Sequence, residues 1–513
     1  MFLKYFCDFF KYNNPLKIYF YKLVLFIKTV KKLFRIATVP ESLDILLRGQ
    51  LRYLNQFYKV TAISSPGAEL DQLVQREGVK SYEIDMQRAI SPLRDLVSLW
   101  NLYRYFQKEK PDIVHSITPK AGLLAMMAAR LAGVPVRMHT FTGLIFPYKT
   151  GILKYILILM DRLLCACATH IYPEGKGVKE DLERYNITSK NLKIIANGNV
   201  NGIDLHHFDR AAVSVEDIDL LRERLAINLD DFVFIFLGRI VKDKGVNELI
   251  SAFKSISELS NVQEITITSE RASQNEKFVR QPMLTAITSS EEEMLTLSES
   301  YFQHSTSVTG LNLRNRLGKI IYRYQTTKSG INPTGDDGLQ GVQQIHKLYP
   351  NVKLLMVGAL DEALNPILGL TRAEIDNNPH IISTGFVTDV RPYLALGDCL
   401  VLPSYREGFP NAVLQAGAMG LPSIVSDING CNEIITNGIN GLIIPAKSEE
   451  ALKNAMLQLL NDCDFTKNLQ QSSRQRIKEL YSHQHLWDEL LLEYTAVLNK
   501  SSAVSRANPT SNN

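Results

Sequence analysis

The chain has 513 residues, 45% of them hydrophobic and 21% charged, which is an ordinary globular composition with length for several domains. Residues 1–35 carry +7, from seven Lys and Arg35 against Asp8, so the rest carries −3 of the net +4. The chain after residue 35 is therefore not basic overall, which excludes the broadly basic surface of a simple nucleic-acid-binding protein. The six Cys are scattered without zinc spacing, so we expect reduced thiols and no structural metal.

The N-terminal extension, residues 1–30, is rich in aromatic residues and Lys. No apolar run in it is long enough to span a bilayer or to form a signal-peptide core. On a helix, Lys17, Lys28, Lys31 and Lys32 fall on one side, which is typical of a helix lying on anionic lipid. We therefore predict peripheral contact with the inner face of the cell membrane and a cytoplasmic body. An unstructured extension, or a misassigned start, is the alternative interpretation.

From residue 33, short apolar segments alternate with helix-periodic ones such as 93–107 and 120–131. This alternation predicts βαβ units and a parallel sheet covered on both faces, in a first domain over 31–205. The predicted strands are 33–38, 60–65, 112–117, 136–141, 170–173 and 192–196.

A second series of apolar strands predicts a second such domain over 206–483. We expect an α/β chain of two Rossmann-like, doubly wound domains facing a cleft, with ligands beyond the carboxyl ends of the strands. A polar tail at 501–513 should be frayed. The predicted strands are 232–237, 352–357, 381–386, 399–403, 423–426 and 442–444.

Residues 258–337 interrupt the second series. They are dense in Ser, Thr, Glu and Gln and lack sustained periodicity, whereas a crossover needs only a dozen or more residues. We interpret them as a largely disordered or loosely helical insertion. A partner-docking segment is the functional alternative.

Two cations follow the first strand of the second series. Gly238 and Arg239 end that strand, and Lys244 opens the next helix. An Arg and a Lys beside free helical N–H groups can hold a diphosphate. Exposed surface cations are the alternative, although the helix dipole disfavours a cation at a helix start. We predict that Arg239 and Lys244 stabilise a departing nucleoside diphosphate.

A second cluster, residues 406–417, follows the apolar strand at 399–403. Glu407 lies on the loop, where it should face a donor sugar, and Gln415 on the following helix should lie near a ribose. An isolated Glu-Gly pair is more often a solvated turn, but this context argues against that. The other residues assigned to donor binding here are Gly408, Phe409, Pro410 and Asn411.

These two clusters and the double sheet resemble the retaining GT-B glycosyltransferases of family 4. The closer resemblance is to transferases of polyprenyl-diphosphate-linked oligosaccharides that add N-acetylgalactosamine or related sugars. It covers 31–257 and 349–498. Glu407 matches the first of the family's paired glutamates, whereas the second is Gln415 here, which offers one acceptor and a donor in place of a carboxylate.

The resemblance implies an acceptor-side first domain, a donor-binding second domain and a helix at 484–500 that crosses back to the first. It also implies that His139 contacts the transferred sugar and that Phe386 and Val387 hold the nucleobase. Without the resemblance, a lone strand-end His such as His139 is more often structural. Residues that follow first-domain strands are candidates for the acceptor side; for Lys120 a solvated role is an equal alternative. These candidates are His115, Lys120, Glu174 and Asn197.

The resemblance further implies retention of configuration and a nucleoside diphosphate sugar, UDP-linked, as donor to a lipid-linked saccharide. Asp217 and Asp219 form an Asp-x-Asp pair, but on a charged helical stretch, so we predict no required metal and no cofactor. Two other classes stay open. A GT-B nucleotide-sugar epimerase shares the fold and needs no acceptor, and a degenerate, non-catalytic partner would fit Gln415 and the insertion.

The insertion should be dispensable for folding, because the closure cost of a surface loop grows only slowly with its length. We expect that replacing residues 260–335 with a short Gly/Ser linker leaves the melting temperature within a few degrees. Thermal unfolding followed by circular dichroism would test this. Aggregation of the shortened chain would instead place the segment in the second core.

Overall fold

The computed structural model describes residues 30–87, 91–260, 352–361 and 365–507, together with four short strands between 265 and 345. The N-terminal extension and most of the predicted insertion lie outside the described residues. The short strands form two antiparallel pairs, β8 with β11 and β9 with β10. They are β8 (Ile265–Ile267), β9 (Leu313–Arg314), β10 (Ile321–Tyr322) and β11 (Gln343–Ile345).

The N-terminal half contains a six-stranded parallel sheet with strand order β3-β2-β1-β4-β5-β6. Its strands and helices follow in chain order: β1 (Lys32–Ile36), α1 (Pro40–Leu47), α2 (Gln50–Asn55), β2 (Lys59–Ser64), α3 (Ala68–Glu77), β3 (Lys80–Glu83), α4 (Pro92–Glu109), β4 (Ile113–Ser116), α5 (Pro119–Leu131), β5 (Val136–Phe141), α6 (Gly151–Cys167), β6 (His170–Pro173) and α7 (Lys176–Arg184).

The C-terminal half contains a second six-stranded sheet with strand order β13-β12-β7-β14-β15-β16. The two-sheet α/β fold predicted from the sequence is confirmed. Its elements are α8 (Val215–Arg224), β7 (Phe232–Leu237), α9 (Val246–Ser260), β12 (Val352–Val357), α10 (Gly369–Asn377), β13 (Ile381–Gly385), α11 (Arg391–Leu396), β14 (Cys399–Leu402), α12 (Asn411–Ala418), β15 (Ser423–Ser426), α13 (Cys431–Ile434), β16 (Gly441–Ile444), α14 (Glu449–Asn461), α15 (Cys463–Tyr481) and α16 (His483–Ala507).

One predicted strand is wrong and another was missed. The segment 192–196 makes a single bridge, between Leu192 and Ile171, and no strand. It cannot extend, because the chain enters left-handed backbone at Ala196, Gly198 and Asn199. The sixth strand of the first sheet is β3, which lies at the sheet edge and is mostly exposed. An exposed edge strand lacks the apolar run on which the prediction relied.

Helices cover both faces of the first sheet. One core packs α4, α5 and α6 against the sheet around Phe34, Leu102 and Leu164. The other packs α1, α2, α3 and the last helix, α16, around Leu33, Leu51 and Tyr494. Two buried layers explain why the strands of this sheet are apolar on both sides.

A buried polar network joins the last helix to the first sheet. Arg35 on β1 is 1% exposed and donates to His115 Nδ1 at 2.8 Å, and it also bonds the Tyr494 hydroxyl. His115 Nε2 pairs with the Thr140 hydroxyl at 2.8 Å. A buried guanidinium is costly unless it is hydrogen bonded. Because Tyr494 of α16 supplies one of these bonds, the network ties the position of α16 to that of the sheet.

The described residues divide into two compact units. The first holds the described parts of Met1–Val213, Ser404–Ala446 and Leu469–Asn513, and the second holds those of Ser214–Pro403 and Lys447–Asn468. Among the described residues, no helix has the length and apolar character that crossing a membrane requires.

Helix α5 approaches β5 closely at Gly122. A Cβ built there would lie 2.4 Å from His139 Cε1 and 2.8 Å from Leu164 Cδ1. We expect Gly122→Ala to lower the free energy of unfolding by about 1–3 kcal/mol, the usual cost of overpacking a core. Chemical denaturation would measure it.

Gly369→Ala in α10 is the matched control, because a Cβ there meets nothing within 4 Å. That variant should be neutral or more stable by up to about 1 kcal/mol. Equal effects of the two substitutions would contradict the close approach.

Candidate active site

The loop after β14, which carries Glu407, is held by a backbone contact at Gly408. A Cβ on Gly408 would lie 2.9 Å from the Thr142 carbonyl oxygen and 3.1 Å from Glu174 Oε2. Thr142 and Glu174 directly follow β5 and β6. The Ser404 hydroxyl donates to Glu407 Oε1 at 2.8 Å and fixes that carboxylate within the loop. Glu407 is therefore positioned at the carboxyl ends of these two strands.

Glu433 ties a second loop to the same edge. Its carboxylate accepts from the backbone N–H groups of Lys176, at 2.6 Å, and Gly177, at 3.1 Å, at the start of α7. An anion at a helix start satisfies otherwise unpaired donors. Next to it, a Cβ on Gly430 would lie 2.2 Å from the Gly408 carbonyl oxygen. This capping role of Glu433 depends on a contact between residues far apart in the chain, so no local sequence pattern predicts it.

Glu174, an acceptor-side candidate, is 5% exposed. Its Oε2 has no hydrogen-bond partner among the described residues. Burial raises the pKa of its carboxyl to about 8, and the nearby Glu433 and Glu407 add to the rise. Glu174 is thus largely protonated at neutral pH, and together with Arg35 and His115 it lines a cavity of about 20 Å³. A cavity of this size holds about one water.

Both candidate histidines are buried. His139 is 1% exposed, and its Nδ1 meets the Ser116 hydroxyl at 2.8 Å. His139 does not end its strand, since β5 continues for two residues beyond it. Its ring lies against Gly122 of α5. Burial lowers the pKa of His139 to about 3, and burial together with the charge of Arg35 holds the pKa of His115 well below its ordinary value. Both rings are therefore neutral at pH 7.

Two acceptor-side candidates lie in other contacts. Lys120 is largely buried and pairs with Asp95 on α4 at 2.6 Å. Asn197 is exposed and donates to the Leu480 carbonyl at 3.1 Å. The structure thus brings Glu174 to Glu407 and leaves Lys120 and Asn197 in separate contacts. Thr142, whose hydroxyl donates to the Ile117 carbonyl at 3.1 Å, is an edge residue that the sequence did not single out.

The remaining residues of the donor cluster follow Glu407 into α12. Phe409 is 7% exposed, packs against Tyr481 with the two rings tilted by 58°, and fills the space at Gly198. Pro410 precedes the helix, and Asn411 accepts from Asn199 at 3.4 Å. Gln415 is half-buried one turn further along. Within this cluster, Gly408 and Phe409 are therefore the residues held in place by neighbouring loops.

In the second unit, the cationic pair lies at the carboxyl edge of its sheet. Gly238 has a φ of +152°, and its carbonyl oxygen lies 1.9 Å from where a Gly358 Cβ would be. Arg239, with its side chain 53% exposed, bonds Asp361 at 3.0 Å, and Lys244 ends a single 3-10 turn before α9. The pair therefore stands at a strand end, where doubly wound sheets bind ligands.

Phe386 follows β13 at the same edge and is 78% exposed, with Val387 next to it. An aromatic ring of this exposure is an open stacking surface for a flat ligand. Across the residues that the structure describes, no group of three His, Cys, Asp or Glu side chains is arranged to hold a metal ion.

Comparison with known proteins identifies the chain. Residues 47–198 match the family model "Glycosyl transferase 4-like domain", and residues 336–462 match "Glycosyl transferases group 1". The chain is a GT-B glycosyltransferase of family 4. The resemblance on which the sequence interpretation rested is thereby confirmed, and with it the class of enzyme.

Similar curated proteins span most of this glycosyltransferase. It is 27% identical to the capsular polysaccharide biosynthesis glycosyltransferase CapM of Staphylococcus aureus, over 92% of this chain and 98% of that protein. It is 26% identical to an Escherichia coli enzyme named UDP-Gal:alpha-D-GlcNAc-diphosphoundecaprenol alpha-1,3-galactosyltransferase, over 73% of each chain.

Solved structures agree on the fold. A glycosyltransferase from Rickettsia africae superimposes with a TM-score of 0.62 at 16% identity, covering 92% of this chain and 99% of the other. Anabaena Alr3699/HepE in complex with UDP gives a TM-score of 0.62 at 13% identity, with coverage of 91% and 100%.

The protonated Glu174 makes stability depend on pH. Its pKa is about 8 in the folded enzyme and near 4.5 when solvated, so between these values the folded state binds more protons than the unfolded state. Stability should therefore fall as pH rises through this window. We expect Glu174→Gln to reduce this loss of stability. The melting temperature of the variant relative to that of the wild type should therefore rise from pH 5 to pH 9.

Thermal scans across the pH range would measure this difference. Glu183→Gln is the control, because its side chain is 57% exposed, and it should run parallel to the wild type. Parallel curves for Glu174→Gln would mean that Glu174 is ionised in the folded enzyme.

Proposed function

We propose that this enzyme transfers a hexose or an N-acetylhexosamine from a UDP-sugar to a saccharide linked through diphosphate to a polyprenol. The transfer retains the anomeric configuration, takes place at the cytoplasmic face of the membrane and serves the assembly of a cell-surface polysaccharide. It requires no metal, because Arg239 and Lys244 supply the positive charge.

The observation that carries the proposal is the placement of Glu407. Its loop is anchored through Gly408 to Thr142 and Glu174, and its carboxylate is oriented by Ser404. A carboxylate held in this way can accept hydrogen bonds from sugar hydroxyls in one geometry, as sugar recognition requires.

In this proposal, Arg239 and Lys244 stabilise the leaving group as it departs. Two cations at a strand end can stabilise the negative charge that develops on a diphosphate as the glycosidic bond breaks. The guanidinium already binds the Asp361 carboxylate, and a diphosphate can take over those donors. The exposed ring of Phe386 at the same edge supports the nucleobase contact.

Proton transfer does not need either histidine. His139 and His115 are buried and neutral, so neither supplies a cationic acid. We propose that an oxygen of the departing diphosphate takes the proton of the acceptor hydroxyl on the face from which the acceptor attacks. His139 then acts through the packing of β5 against α5.

The acceptor assignment draws on the relatives. The Escherichia coli relative is named for a diphosphoundecaprenol acceptor, and a Campylobacter jejuni enzyme named N,N'-diacetylbacillosaminyl-diphospho-undecaprenol alpha-1,3-N-acetylgalactosaminyltransferase is 34% identical over 26% of this chain and 36% of that one. Incubation with a panel of labelled UDP-sugars and a polyprenyl-diphosphate saccharide, followed by separation of the lipid product, tests the proposal. Turnover of donor without acceptor would indicate an epimerase, and no turnover with any donor a non-catalytic partner.

Neutralising the cationic pair should abolish most activity. We expect Arg239→Ala or Lys244→Ala to reduce kcat by roughly 10²–10³, the scale for one preorganised electrostatic contact. Arg239→Lys should rescue poorly, since an ammonium lacks the planar, two-pronged geometry. Initial rates of lipid glycosylation, with and without chelator, would measure both effects.

Arg372→Ala is the control for Arg239→Ala, because Arg372 is an exposed cation on α10 paired with Asp376. It should keep full activity, and chelator should leave the wild type unchanged. Full transfer by both alanine variants of the cationic pair would show that the diphosphate binds elsewhere.

Gln415→Glu should tighten donor binding if this side chain meets the ribose. A charged acceptor strengthens such hydrogen bonds by about 1 kcal/mol, or roughly fivefold in Kd. Titration calorimetry with UDP would measure it, with Gln458→Glu on α14 as a control for added charge. Unchanged or weaker binding would place the ribose away from α12.

A further inference from the structure

Exposed apolar side chains are concentrated in one part of the first unit. Of the 22 large hydrophobic residues that are exposed in the described structure, 13 lie between Leu93 and Leu163. Single exposed apolar residues are normal on a soluble protein, whereas a large contiguous patch indicates an interaction site.

Helix α4 presents an outward stripe of four such residues. Leu93, Leu96, Val97 and Trp100 are 81%, 62%, 61% and 58% exposed. Their spacing of three, four and seven positions places them on one face of the helix. The opposite face is buried in the core through Leu102 and Phe106. The stripe is therefore not part of the helix face that packs in the core.

Helix α6 carries a second outward stripe. Ile152, Tyr155, Leu159 and Leu163 are 79%, 72%, 67% and 43% exposed. Its inner face is apolar as well, since Leu164 and Cys165 are buried. A helix that is apolar on both sides at a protein surface requires a second apolar environment.

The two stripes belong to one layer. Helix α5 packs against α4 on one side and α6 on the other, and all three share the core on one face of the sheet. With helices about 10 Å apart, the stripes are separated by roughly 20 Å. Leu123 and Met127 of α5 are partly buried and pack against the same core. We call the outward side of α4, α5 and α6 the apolar face.

Positive charge accompanies the apolar face. Residues 92–167 contain ten Lys and Arg and four acids, a net +6. Three of the acids are paired: Asp95 with Lys120, Glu109 with Lys32 and Asp112 with Lys31. Burial raises the pKa of the fourth, Asp161, to about 7. Cations such as Arg94, Arg104, Lys108 and Lys149 are exposed.

We propose that the apolar face docks this enzyme onto an anionic lipid bilayer, with its Leu, Ile, Tyr and Trp side chains inserted at the interface and its Lys and Arg on the headgroups. Apolar residues rimmed by Lys and Arg are what such a surface binds. A second copy of the chain would bring the same positive charge, which opposes self-association through this face. The proposal extends the proposed function by stating how the enzyme reaches a membrane-linked acceptor.

The start of the described chain adds to the argument. Lys31 and Lys32 pair with Asp112 and Glu109 at the end of α4, so the described chain begins next to that helix. By sequence, residues 1–29 contain five Lys and one acid, a net +4 that favours the same anionic partner.

Sedimentation of the full chain with vesicles tests the docking. Wild-type enzyme should bind mixed phosphatidylglycerol and phosphatidylcholine vesicles, and bind pure phosphatidylcholine vesicles much less. Trp100→Glu combined with Leu159→Glu should weaken binding to the mixed vesicles by roughly tenfold or more. Leu229→Glu combined with Leu370→Glu is the matched control, because these residues are 83% and 86% exposed in the second unit, and it should bind as the wild type does.

Three results would overturn the proposal: equal binding by the Trp100/Leu159 double variant, equal binding to both kinds of vesicle, or a wild-type dimer in analytical ultracentrifugation that this variant dissociates without a change in vesicle binding. The melting temperature should stay within a few degrees, since both side chains are largely in solvent.

Transfer assays separate this proposal from the proposed function. The Trp100/Leu159 variant should keep wild-type turnover with acceptor in detergent micelles and lose it with acceptor in vesicles. If no form of the enzyme glycosylates the acceptor in detergent, the proposed function fails, whereas the vesicle-binding result still decides the docking.

Discussion

The candidate site depends on a close backbone approach at Gly408. No side chain fits there, because the Thr142 carbonyl and the Glu174 carboxyl occupy the space that a Cβ would need. Gly430 is constrained in turn by the Gly408 carbonyl, and Gly198 by Phe409 and the Glu174 carbonyl. Three loops are thus stacked through residues without side chains. This stacking sets the position of Glu407, the carboxylate to which we assign sugar recognition in the proposed function.

Burial decides the charge state of the groups beneath these loops. Glu174 is mostly protonated, and His115 and His139 are neutral, because each is nearly removed from water. The guanidinium of Arg35 is the exception, and neutral partners hold it. The layer below the site therefore provides shape and hydrogen bonds more than acid–base chemistry. This is consistent with catalysis by electrostatic stabilisation of a leaving group, which needs preorganised cations and no titrating base.

Sequence patterns located some features and missed others for identifiable reasons. The buried strands β5, β6, β7, β12 and β15 match their predicted bounds, because an apolar run bounded by Gly, Pro or Asp marks a strand covered on both faces. The edge strand β3 has no such run. The segment at 192–196 has one, but left-handed backbone at Ala196 ends it. A local pattern cannot report whether a neighbouring strand is available.

For the candidate site, the sequence alone predicted which loops could carry chemistry: the residues around Arg239, Glu407 and Glu174 all follow apolar strands. Within each sheet, parallel strands direct their carboxyl ends to the same edge, so a position directly after an apolar strand is sufficient for that inference. Only the tertiary structure decided which of the candidate site residues have accessible side chains. His139 points into the helix layer, Lys120 is paired with Asp95, and Glu174 is buried beside Glu407 and Glu433. Burial and pairing arise from contacts between residues far apart in sequence, and those contacts exist only once the chain has folded.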